Sequence, residues 1–147
     1  MDYKLLCAQL KVLTEDVENE ISNLSNASAL LWQELADINW AGFYKMEGGI
    51  LVLYPFQGKP ACTRISVGKG VCGTAVAEDK TQLVPDVHQF PGHIACDCAS
   101  NSEIVVPIHV NGEIWGVLDI DSPSLNRFTE EDWEGLTSFV KILETVL

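Results

Sequence analysis

The chain opens on a period near 3.6 residues. Leu10, Leu13, Val17, Ile21 and Leu24 recur at helical spacing, and "NASALLWQELA" carries the stripe through Leu31 and Leu35. The intervening "SNLSNAS" predicts a break or kink, because Ser and Asn side chains compete with the helix for backbone hydrogen bonds. Then the period shortens to two. "INWAGFYKM" is β-prone and aromatic, "EGG" reads as a turn and "ILVLYPFQ" as a return strand, so residues 38–56 are expected to form a hairpin. "GKGVCGTAVAEDK" begins with glycines and becomes helix-like, which sets Cys72 near a helix N-terminus, and "TQLVPDV" is a short strand ended by its proline.

A long irregular stretch follows, roughly Asp86 to Ser102, and loops of that length inside compact domains tend to be functional. "EIVVPIHVNGEIWGVLDID" contains two strands joined by Asn111-Gly112, the strongest short hairpin signal. "FTEEDWEGLTSFVKILETVL" closes the pattern as a helix. Thr129 is placed to cap it, acids fill its first turn, and Trp133, Leu136, Val140, Leu143 and Leu147 form one stripe. This order of elements predicts an α+β fold with a central antiparallel sheet flanked by helices. The 147 residues are expected to make a single domain, 1–147.

Charge narrows the function classes. Nine Lys and Arg stand against 21 Asp and Glu, for a net charge of -12, and they form no basic cluster. Phosphate backbones and anionic lipid surfaces select the opposite composition, so neither nucleic acid nor membrane is an expected partner. No basic region precedes a long apolar run, and no stretch nears the ~20 apolar residues of a membrane span. A cytoplasmic setting is the expectation. There, disulfides are usually transient, catalytic or sensing, and five cysteines cannot all pair within one chain.

The quoted chemistry begins with "GHIACDCASNSE", residues 92–103. Cys96 lies in the long loop, where a thiolate would be accessible, and Cys72 lies where a helix-terminal field would favour one. Further thiols, Cys62 among them, give a reactive cysteine something to resolve onto. Cys7, on a helix, reads as a small buried hydrophobe. Zinc could draw on His93, Cys96 and Cys98 with Cys72 or Cys62 as a fourth ligand, but structural zinc takes paired knuckles and only one C-x-C is present. No metal is expected. His88 and His109 read as surface or core histidines.

Carboxylates form the second constellation. Asp119 and Asp121 are two apart on a predicted strand and therefore share a face, and Glu103 begins the partner strand. A strict two-residue turn at Asn111-Gly112 would oppose Val110 to Glu113 and Glu103 to Ile120, pointing Glu103 away from both aspartates. For the three acids to meet, the hairpin must contain a bulge or a longer turn, or Glu103 must precede the regular strand.

Taken together, "WAGFY", "YPFQGKPACTRI", "GKGVCGTAV", "DVHQFPGHIACDCASNSEIVVPI" and "GVLDIDSP" resemble the free methionine-(R)-sulfoxide reductase family, over nearly the whole chain from about residue 17. The resemblance implies a GAF-like fold and reduction of free L-methionine-(R)-sulfoxide to L-methionine. It implies no cofactor, since the oxidation is carried off by protein thiols. Cys96 matches the catalytic cysteine, Cys72 and Cys62 match the cysteines that resolve its sulfenic acid, and thioredoxin is the family's usual reductant. Glu103, Asp119 and Asp121 match acids around the substrate, while Trp40 and Tyr44 match aromatics beside it. A homodimer is the family-based expectation. Cys98 stands outside the family's three-cysteine pattern, and two residues from Cys96 it could compete as a resolving thiol. A reading from a different class is a non-catalytic GAF module that binds a small ligand or senses oxidant.

Overall fold

The computed structural model describes residues 1–92 and 99–147, so the expectations for His93, Cys96 and Cys98 lie outside the described residues. Two helices lead, α1 (Tyr3–Thr14) and α2 (Glu20–Glu34). A hairpin of β1 (Trp40–Glu47) and β2 (Ile50–Gly58) follows, then β3 (Arg64–Ser66), α3 (Gly70–Glu78) and β4 (Gln82–Val84). A 3₁₀ turn at Val87–Gln89, β5 (Ser102–Val110), β6 (Glu113–Ser122) and α4 (Glu130–Glu144) complete the order. The strands form one sheet in the order β3-β2-β1-β6-β5-β4, antiparallel at every pairing. The expected α+β architecture is present.

Alternation along the central strands divides the molecule into two cores. Ala41 and Phe43, Ile104, Val106 and Ile108, and Leu118 and Ile120 pack with Leu6, Leu10, Leu24, Leu31, Leu136 and Phe139 under α1, α2 and α4. The opposite face presents Trp40, Tyr44, Val105 and Val117, which pack with Val71, Cys72 and Ala75 of α3. Asp119 and Asp121 keep step with Val117 on β6, so they stand on the α3 face.

The helical stripe breaks earlier than its composition suggests. The interruption falls at residues 15–19, where Asp16 takes a φ of 57°, and "SNLSNAS" lies inside α2. Asn19 caps α2 by accepting from the Ser22 N–H at 3.0 Å. The polar side chains that were expected to unwind the helix bond outward instead. Asn23 donates to the Val17 carbonyl at 2.8 Å and Ser28 to the Pro55 carbonyl at 3.1 Å. The short β3 was not legible in "CTRIS", whose three paired residues carry no pattern of their own.

At α4, Thr129 and Asp132 form a capping box, each side chain bonded to the other's backbone N–H. Trp133 leaves the expected stripe and is exposed, and Phe139 takes its place in the core. Thr129→Ala is expected to lower stability by about 1 kcal/mol, read from the urea midpoint with an unchanged slope.

Candidate active site

The site is built by sheet register. Across β1, β6 and β5, Trp40 stands opposite Asp121, and Asp121 opposite Glu103. In the next row on the same face, Gly42 opposes Asp119, and Asp119 opposes Val105. Three acids and an aromatic thus converge on adjacent rows, although they come from three strands.

A bulge makes this possible. Asn111 and Gly112 both adopt positive φ, 54° and 78°, as a tight two-residue hairpin turn demands. Val110 then pairs with Glu113 and His109 with Ile114, but Ile108 pairs with Gly116, so β6 carries one extra residue at Trp115. Below the bulge every pairing shifts by one. Glu103 meets Asp121 instead of Ile120, and the pleat turns it toward the aspartates. Of the three routes open in the sequence, the chain takes the bulge.

α3 lays Cys72 over this row. Its Sγ and a carboxylate oxygen of each of Glu103 and Asp119 lie within 4.8 Å of one another, so one cation, a metal ion included, could be reached by all three. Cys72, Glu103 and Asp119 are buried, and Asp121 is half-buried. Burial pushes the Glu103 carboxyl well above its ordinary range, and the charges of Asp119 and Asp121 push it further. Burial likewise raises the Cys72 thiol, helped by Asp119, Glu103 and Asp121. The expected helix-terminal thiolate at Cys72 is therefore corrected to a protonated thiol. The helix does begin at Gly70, but three carboxyl groups and loss of water outweigh its dipole.

The raised pKa of Glu103 has a stability consequence. Unfolded, Glu103 loses its proton near its ordinary 4.5, whereas the folded chain holds the proton to higher pH. Between those values the native state binds more protons than the unfolded one, so this group's contribution to stability falls as pH rises. Glu103→Gln is expected to be more stable than wild type by a margin that is smallest below the ordinary 4.5 and grows as the pH rises above it, measured by urea denaturation. A margin that does not grow with pH would contradict the shift.

The aromatic wall has a member the sequence did not reveal. Trp40 stacks on Tyr44 with centroids 5.8 Å apart, and on Phe56 of β2 at 5.1 Å. Gly42 is what admits Phe56, since a Cβ there would lie 2.2 Å from the Phe56 Cβ. The glycine within "WAGFY" was the available signal. Trp40 and Tyr44 are buried and donate to the segment after β2: Trp40 Nε1 to the Lys59 carbonyl at 3.1 Å and the Tyr44 hydroxyl to the Cys62 carbonyl at 3.0 Å.

Among the described cysteines, Cys62 is disulfide-bonded, while Cys7 and Cys72 are free. The described histidines bond elsewhere, His88 to Asn101 and His109 to Asp79. No helix among the described residues is long and apolar enough to cross a membrane.

Comparison with known proteins bears on the fold and the sequence. Residues 10–147 match the GAF domain model. The free methionine-R-sulfoxide reductase of Escherichia coli K12 is 61% identical over 127 residues, covering 86% of this chain and 77% of that protein. The reduced form of fRMsr of Staphylococcus aureus superposes with a TM-score of 0.97 at 57% identity, covering 99% of this chain and 95% of that one. Free methionine-R-sulfoxide reductase from Neisseria meningitidis, solved in complex with its substrate, superposes at 0.95 with 43% identity, covering 98% and 87%. A register that gathers three acids beside an aromatic wall, on a fold and sequence shared this closely, leads to one assignment: the chain belongs to the free methionine-(R)-sulfoxide reductase family of GAF-domain proteins.

Proposed function

We propose that this protein reduces free L-methionine-(R)-sulfoxide to L-methionine, with Cys96 as nucleophile, Cys62 as resolving thiol and thioredoxin as the final reductant in the cytoplasm. The observation that carries the reading is the meeting of Glu103, Asp119 and Asp121 beside Trp40. A free amino acid offers an ammonium group to carboxylates and a polarised sulfoxide oxygen to a proton donor. Glu103, which holds its proton above the usual carboxylate range, suits the donor's role. Asp119 and Asp121 suit the ammonium. Trp40 and Tyr44, backed by Phe56, suit the S-methyl group.

In the first step the Cys96 thiolate attacks the sulfoxide sulfur while the oxygen takes a proton; the oxygen passes to Cys96 as a sulfenic acid and methionine leaves. In the second, the Cys62 thiol displaces that oxygen as water and a disulfide forms. Thioredoxin's dithiol then reduces the disulfide. Cys62 is given the resolving role because it is disulfide-bonded here, whereas Cys72 is free, buried and held protonated.

The α-ammonium supplies the test. N-acetyl-L-methionine-(R)-sulfoxide keeps the reacting group but leaves buried acids without their cation, so kcat/KM is expected to fall about 100-fold or more. Equal turnover of the acetylated substrate would overturn specificity for the free amino acid.

A further inference from the structure

Between the end of β2 at Gly58 and the start of β3 at Arg64, residues 59–63 belong to no strand or helix. A segment of this kind would ordinarily leave its cysteine free to wander. Here three bonds pin it to the sheet. Trp40 Nε1 holds the Lys59 carbonyl at 3.1 Å, the Tyr44 hydroxyl holds the Cys62 carbonyl at 3.0 Å, and the Leu53 N–H holds the Thr63 carbonyl at 3.0 Å. Trp40 and Tyr44 lie four residues apart on one face of β1 with their rings stacked, so the same pair that walls the site also grips the segment at two points.

We propose that the Tyr44 hydroxyl is a positioning residue for the second chemical step: it holds the Cys62 main chain where the Cys62 sulfur meets the sulfenic acid. The proposal rests on Cys62 being the resolving thiol. Disulfide formation is geometrically exacting, with Cα atoms usually about 4.4–6.8 Å apart, so a segment free to shift samples the bonding geometry rarely. A displacement of about 1 Å can cost about 100-fold in rate. Burial, and then the charge of Asp119, raises the Tyr44 hydroxyl above its ordinary value, so it remains a donor throughout the working pH range. Its bond is made to a carbonyl, not to the thiol. It therefore constrains position without blocking the sulfur or changing its charge.

Tyr44→Phe removes this one bond and keeps the ring that stacks on Trp40. Reduced protein is mixed with one equivalent of free L-methionine-(R)-sulfoxide and quenched over time. Methionine is followed by chromatography, sulfenic acid by its dimedone adduct, and disulfide by mass. The expected result for Tyr44→Phe is a fall of about tenfold or more in the rate of disulfide formation relative to methionine formation, with dimedone-reactive protein accumulating. An unchanged ratio, or both steps slowing alike, overturns the positioning role. Cys62→Ser, run in parallel, separates the two levels of the claim. If it still forms the disulfide at the wild-type rate, Cys62 is not the resolving thiol and the underlying reading fails. If it forms none while the Tyr44→Phe ratio is unchanged, Cys62 resolves and only the clamp fails.

Discussion

Replacing Cys62 with serine is expected to leave the first methionine and remove nearly all that follow. Attack on the sulfoxide requires only Cys96 and the substrate site, so each reduced chain should still release one methionine. The sulfenic acid then loses the thiol assigned to resolve it. An intramolecular partner can act at an effective concentration of about 10⁵ M or more, which no thiol in solution approaches. Sustained turnover with thioredoxin should therefore fall about 100-fold or more, with sulfenic acid trapped on the protein. Cys72→Ser should not reproduce this pattern, because Cys72 is free and is packed among acids that keep its thiol protonated. Multiple-turnover assays beside single-turnover product counts decide the matter. Loss of recycling in Cys72→Ser, with Cys62→Ser unaffected, would exchange the two assignments.

The second large effect belongs to Glu103. Glu103→Gln keeps the shape and most of the hydrogen bonding, yet it cannot deliver a proton to the departing oxygen. A positioned general acid typically contributes about 10²–10⁴-fold, so kcat should fall by that order, with a smaller change in KM. The alkaline limb of the pH profile should vanish with it. The same substitution is expected to stabilise the folded chain toward alkaline pH, because it removes a carboxyl that burial and two aspartates force to keep its proton. Opposite signs for activity and stability in one variant are what a strained functional group produces. A variant that lost activity and stability together would place Glu103 in a merely structural role.

Much of this site could be read in advance, and the reason is local. Asn111-Gly112 announces its turn, and Asp119 and Asp121 announce their shared face by strand periodicity alone. Even the irregularity was implied, since Glu103 could not join them without a departure from strict pairing. Where that departure would fall, at Trp115, was not written in any dipeptide; it depends on how β6 packs between β1 and β5. Non-local contacts hid other features. The polar "SNLSNAS" stays helical because Asn23 and Ser28 find partners outside the helix, and Phe56 joins the aromatic wall only once β2 lies against Gly42. Cys72 shows the limit of a local electrostatic argument. Its place near the start of α3 was correctly read, but the burial that raises its thiol, and the carboxyl groups of β5 and β6 that add to it, arise only when the sheet packs against the helix.

The most direct test is methionine formation from the two epimers of free L-methionine sulfoxide, with thioredoxin and its reducing system, in wild type and Cys96→Ser. The expected result is turnover of the (R)-epimer alone by wild type, and none by Cys96→Ser. Folded, fully reduced wild-type protein that turns over neither epimer would contradict the assignment and favour a ligand-binding or redox-sensing module. Undiminished turnover by Cys96→Ser would contradict the nucleophile.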